Sequence, residues 1–176
     1  MINDDYEKYL NAFKPSESFL AKHLHDWLRS GVDEKTVREV LGVRTSVAGD
    51  SWVIPVWDLE HTKILGYIAR YDDVAVKENR YPSKEENETP KYRPSPGLGN
   101  RFFYPHINGV NWFAISKDPT IDIGMTEGIK KAVKLTLEGL PTIGLSGVYN
   151  WLEKPKTEEE NKGETNNEQK KETNTN

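Results

Sequence analysis

The chain has 176 residues, no cysteine and a net charge of −4. The missing cysteines exclude a disulfide framework and a thiolate metal site. No apolar run is long enough for a membrane-spanning helix, and the N-terminus is not signal-like, so a cytoplasmic protein is expected.

Mean hydropathy is low, −0.76. Five tryptophans and eight tyrosines nevertheless provide apolar surface for a packed core, and the length suits one domain with a small helical extension. Residues 1–44 read as a helical N-terminal segment. A short first helix is expected over residues 5–13, with Tyr6, Tyr9, Leu10 and Phe13 on one side, ended by Pro15. Ser16 reads as an N-cap, and Phe19, Leu20, His23, Leu24, Trp27 and Leu28 form the stripe of a second helix that Gly31 closes. Asp33 opens a third, with Val37, Val40 and Leu41 inward. This helical pair has the spacing of a helix-turn-helix, but Lys35 and Arg38 offer little base-reading chemistry. His23 and His25 diverge on a helix, and no three histidines or carboxylates share zinc spacing.

Residues 45–118 read as β-rich. Trp52 to Trp57 is an apolar strand in which Pro55 suggests an edge or a bulge. Ile64–Tyr71 is its hairpin partner. Residues 72–90 are polar and charged and read as a mobile loop. Two extended segments follow, at Lys91-Tyr92-Arg93-Pro94 and Arg101-Phe102-Phe103-Tyr104. Arg70, Lys91, Arg93 and Arg101 on neighbouring strands are candidates for one groove, interleaved with Tyr67, Tyr71, Tyr92, Phe103 and Tyr104. Cations that track phosphates beside aromatics that stack bases hold single strands without reading sequence. The alternative is that the aromatics are core and the cations flank a solvated face. Gly97-Leu98-Gly99 lacks the spacing of a phosphate-binding loop. Residues 110–115 are apolar and fit either a strand or a short helix.

Residues 119–152 form the unit to which the rest leads. Ile121, Ile123 and Met125 alternate with polar or small residues, a strand period. Gly128 allows a sharp turn into a helix whose inner stripe is Ile129, Ala132, Val133, Thr136 and Leu137, with Lys130, Lys131 and Lys134 outside it. Gly139 stops the helix and Thr142 to Leu145 makes a second strand. A strand–helix–strand order predicts a parallel pair with a right-handed crossover. Its site then lies beyond the carboxyl ends of the strands, at Glu127 and Ser146-Gly147. Glu127 is either a first-turn carboxylate that suits the helix dipole or a metal ligand or acid/base group. Residues 153–176 hold seven glutamates, five lysines and no apolar side chain, and are expected to be disordered. That tail carries half of the net negative charge, so it hides no basic body, and any nucleic-acid face must be local.

Thr126-Glu127-Gly128-Ile129-Lys130-Lys131-Ala132, followed by Gly139-Leu140-Pro141-Thr142-Ile143-Gly144-Leu145-Ser146-Gly147-Val148, resembles the opening of a toprim-like domain of phage and plasmid primase-like replication proteins. Gly66-Tyr67-Ile68-Ala69-Arg70, Lys91-Tyr92-Arg93-Pro94 and Phe103-Tyr104-Pro105 keep the order of that family's upstream region. The resemblance implies magnesium-dependent phosphoryl transfer on nucleic acid. Glu127 would be the first acidic motif, catalytic and metal-binding, and Lys131 would neutralise phosphate. The family's second acidic motif, Asp-x-Asp, does not follow Gly147. A single carboxylate holds magnesium weakly, so the isolated chain is expected to show little or no activity unless a partner replication protein supplies the missing carboxylates.

These readings combine into an α+β protein: a primase-related replication fragment of a mobile element. It is expected to contact nucleic acid, single-stranded DNA in particular, through Arg70, Lys91, Arg93, Arg101 and Lys131, with Mg2+ at Glu127. The alternatives are a non-enzymatic protein-interaction module built on the same scaffold and a metal-dependent nuclease.

Overall fold

The computed structural model describes Tyr9, Phe13 and residues 20–83, 87–99, 101–107 and 109–145. The helix expected over residues 5–13 is described only at Tyr9 and Phe13. Ser146-Gly147, residues 148–152 and the polar tail lie outside the described residues.

The fold is α+β. Helix α1 (Ala21–Leu28) buries His23 and Trp27 on its inner face, while His25 on the other side is exposed. The next segment, Thr36–Val40, is wound as a π-helix, with Leu41 N–H reaching the Thr36 carbonyl at 2.9 Å. Asp33 starts it, accepting from the Thr36 amide and hydroxyl. Four antiparallel strands follow in the spatial order β1 (Arg44–Thr45), β2 (Ser51–Trp57), β3 (Ile64–Tyr71), β4 (Tyr92–Pro94). Pro55 is accommodated because β1 covers only Trp52 and Val53, leaving Pro55 with a strand neighbour on one side.

The stretch expected to be a mobile loop is organised locally. Its first part is helix α2 (Asp73–Lys77). Thr89, buried, then takes the Tyr81 amide and donates to Asn79. Side-chain bonds of this kind carry no hydrophobic period, so a search for periodicity passes over them. The segment over residues 110–115 resolves to helix α3 (Trp112–Ile115), capped by the Asn111 side chain at 3.0 Å.

Strand β5 (Gly124–Glu127), helix α4 (Ile129–Leu137) and strand β6 (Thr142–Leu145) form the expected βαβ unit, with β5 and β6 parallel. β5 starts three residues later than the alternation from Ile121 suggests. β6 begins opposite Gly124, so Ile121 and Ile123 have no ladder partner there and stay exposed. The expected strand near Arg101 reduces to one bridge, Phe103 to Gly144, on the far side of β6. Gly128 has φ +93°, which glycine alone adopts without strain.

One core joins these parts. Trp52, Ile54, Val56 and Ile68 on one face of the four-stranded sheet meet Trp27 from α1, Val37 and Leu41 from the π segment, and Ile129 and Val133 from α4. The opposite face receives Tyr9, whose hydroxyl lies within hydrogen-bond reach of the Val53 and Gly42 carbonyls, and Phe13, edge-on to Tyr67. At the hairpin turn, His61 stacks on His106 at 4.2 Å between ring centres, and the His106 Nε2–H points to the Asp58 carbonyl at 2.9 Å.

Two measurements check this packing. A Cβ on Gly124 would sit 2.5 Å from Thr142 Oγ1, and Thr142 is fully buried; Gly124→Ala is expected to cost about 1–3 kcal/mol in denaturant unfolding. Burial, with the neighbouring His61, pushes the His106 imidazole from 6.5 down to about 4. The folded chain then binds fewer protons than the unfolded chain across that window, so stability is complete above about pH 6.5 and falls as pH drops toward 4. His106→Gln is expected to flatten this acid limb in denaturant midpoints taken from about pH 4 to 7.

Candidate nucleic-acid interface

The register of β3 against β4 decides which of the expected cations share a surface. Arg70 stands opposite Tyr92, and Ala69 opposite Arg93. Facing residues of a ladder project to the same side and successive residues to opposite sides. Arg70 and Tyr92 therefore lie on the face covered by α1 and α4, and Arg93 lies on the other face. There its guanidinium donates to the Tyr81 carbonyl and stands 5.7 Å from the centre of the Tyr71 ring. Lys91 is exposed and 3.8 Å from Asp73, and Arg101 donates to the Leu98 carbonyl at 3.3 Å. Arg70 and Arg93, expected in one groove with Lys91 and Arg101, are thus divided between two faces by the two-residue period of the strand.

A cleft of about 630 Å³ opens at the carboxyl end of β5. Thr126 and Gly128 form its base, Lys130, Lys131 and Lys134 of α4 one wall, and Tyr92 and Ser30 the other. The lysines that flank the buried stripe of α4 are there because positions 130, 131 and 134 fall on neighbouring turns of one helix. Gly31, at φ +75°, brings the end of α1 close: a Cβ there would meet the Lys134 stem at 3.1 Å. Lys131 is exposed in this wall. Glu127 is the last residue of β5 and exposed, beside the cleft. Gly128 provides no side chain to cap α4, so the positive end of the helix faces the same edge.

Behind the lysine wall lies a charged node that no sequence pattern announces. Asp26 of α1 accepts from Lys130 Nζ at 2.6 Å, from Trp52 Nε1 at 3.1 Å, and pairs with Arg70 at 3.2 Å. The Tyr92 phenol is pushed up by burial, while the nearby Arg70 works against it. Burial pushes the Asp26 carboxyl up, but Lys130 and Arg70 outweigh it and hold the group below its ordinary value. Lys130 is also lowered, by burial and by the nearby Arg70 and Lys91, in spite of Asp26. Burial works against the charged form of both groups, and two cations around one carboxylate leave Asp26 more fully compensated than Lys130.

A divalent ion finds few ligands here. Among the described residues no group of three or more His, Asp or Glu side chains is placed to hold a metal. Glu127 is one carboxylate, and the other nearby acid, Asp26, is committed to Lys130, Arg70 and Trp52. Among the described residues, Glu127 is then the carboxylate left open to a metal.

Asp26, Lys130, Lys134 and Ser30 join the site although sequence reading passed over them as site residues. Lys130 and Lys134 gave a signal in their four-residue spacing; Asp26 gave none, because its partner is 104 positions away. Asp26→Ala strands Lys130, Arg70 and the Trp52 indole together, and is expected to destabilise the fold by about 2–4 kcal/mol in urea unfolding.

A family described as a domain of unknown function (DUF3854) matches residues 111–174, the stretch that contains α3 and the βαβ unit. Neither a curated protein nor a solved structure matches the chain.

Proposed function

We propose that this chain is a toprim-like, primase-related replication protein of a mobile element that contacts single-stranded DNA in the cytoplasm through the lysine cleft. The observation that carries this reading is the cleft itself: Lys131, exposed and without an ion pair among the described residues, the stems of Lys130 and Lys134, the half-buried ring of Tyr92 and the uncapped start of α4 converge at the carboxyl end of β5. Phosphates favour a helix start flanked by cations, and a tyrosine at such a groove offers a stacking surface to a base. The parallel βαβ order and Glu127 at the strand end agree with the toprim resemblance. Among the described residues, no helix is long and apolar enough to cross a membrane. Metal-dependent nucleotidyl transfer needs further carboxylates, from outside the described residues or from a partner protein. Until those are in place, the chain's own residues bind and orient a strand.

A second reading, a non-enzymatic protein-interaction module, is favoured by β5. Gly124 N–H bonds to the Pro141 carbonyl and Gly128 N–H to Leu145. Alternation then turns the amides of Met125 and Glu127 to the opposite edge. Ile121, Ile123 and Met125 beside that edge are exposed, and an open edge with apolar flanks accepts a strand from another protein.

Anisotropy of a labelled oligo-dT across a salt series separates the two readings. The cleft reading expects binding that weakens with salt, and Lys131→Ala is expected to reduce the slope of log K against log salt by about 0.7, one phosphate contact on a single strand. Arg93→Ala, on the other face, is expected to leave the affinity unchanged. No binding at low salt removes the cleft reading and leaves the β5 edge as the favoured contact surface.

A further inference from the structure

Two clefts meet at the Asp26 node. Lys130 lines the one described above. Arg70 and Asp26 line a second, of about 540 Å³, between α1, the β1–β2 turn and the start of α2. Arg29 stands in that second cleft, exposed and without an ion pair among the described residues. The other carboxylates of the second cleft are occupied. Asp72 takes Lys22 and His23, Asp50 takes the Tyr81 hydroxyl and Ser46, and Asp73 lies near Lys91. Asp26 is the acid placed between the clefts, and it faces two cations.

We infer that Lys130 and Arg70 form a latent phosphate site closed by Asp26, in which a phosphodiester oxygen of a single strand replaces the Asp26 carboxylate and joins the two clefts into one path. Three observations carry this. The node holds two cations and one anion, so it keeps a spare positive charge. Arg70 lines the second cleft with 13% of its side chain exposed, so its guanidinium is reached from that side. Asp26 itself is only partly covered, with 27% of its side chain exposed, so it has a way out to water, and the Trp52 N–H left without its acceptor is the cost that keeps the site closed. The incoming oxygen enters where the carboxylate leaves. Replacing one acceptor by another keeps Lys130 and Arg70 solvated by negative charge throughout, which is what makes exchange cheaper than opening a bare buried pair. This path would run from Lys131 across the node to Arg29, past aspartates of the second cleft that already have partners.

The inference rests on the single-strand reading of the lysine cleft, and one experiment separates their failures. Labelled oligo-dT is titrated with wild type, Asp26→Asn, Lys131→Ala and Glu39→Gln, across salt. Asparagine keeps the shape of aspartate and an oxygen for Trp52, and melting curves verify that the variant is folded. Glu39→Gln makes the same change of net charge on another surface. Asp26→Asn is expected to bind about threefold tighter at low salt, the size of one exposed charge contact, with a salt slope steeper by about 0.7; Glu39→Gln is expected to change neither. Equal gains in the two variants, or no gain in Asp26→Asn, overturn the latent site. Wild-type binding that is lost in Lys131→Ala with no gain in Asp26→Asn removes the node and keeps the cleft. No binding by wild type or by Asp26→Asn removes both. If Asp26→Asn folds poorly, Arg29→Ala decides, because Arg29 is exposed and lines the second cleft and not the first: weaker binding is expected, and an unchanged affinity overturns the inference.

Discussion

Trp52 needs an apolar cover for its ring and an acceptor for its N–H, and α1 supplies both. The ring packs 5.0 Å from that of Trp27, and the indole N–H reaches Asp26 one residue earlier. An indole buried without an acceptor is costly, and so is a half-buried carboxylate without cations. Meeting both needs at once fixes α1 against β2. It also draws Lys130 and Arg70 inward, and with them α4 and β3. The N-terminal helix, the antiparallel sheet and the βαβ unit are therefore one structure and not three modules in a row.

The same contact explains why an acidic chain has a basic edge. The lysines beside the buried stripe of α4 all line the cleft, but the Lys130 ammonium turns back to Asp26. Lys134 shares its charge with Glu138 one turn on, at 2.5 Å. Charge at the cleft is set by which cations are already compensated and not by the number of basic residues in the chain. That is also why counting residues gave no hint of which lysine keeps its charge unpaired.

The two faces of the sheet divide the labour. Toward α1 and α4 lie Trp52, Ile54, Ile68, Arg70 and Tyr92, and the cleft opens at the margin of this face. Toward Tyr9 lie Val53, Ala69 and Arg93, where the arginine is held by the Tyr81 carbonyl and the Tyr71 ring. Arg70 and Arg93 come from paired strands and differ in role because their positions in the ladder differ by one residue.

The local pattern of the sequence determined the elements whose period is strong. The stripe of α4, the glycine that starts it, the hairpin of β2 and β3 and the parallel order of β5 and β6 were legible, because each rests on contacts between residues near in sequence or on a chirality rule. Glu127 was legible as a strand-end carboxylate for the same reason. Only the tertiary structure decided that β5 starts at Gly124, since the strand begins where β6 offers a partner. It also decided that residues 72–90 contain a helix and a Thr89-centred turn, and that Arg93 leaves the surface of Arg70. The Asp26 node depended on it entirely. Period and propensity describe one element at a time, whereas register, face and a salt link across 104 residues arise only when elements dock.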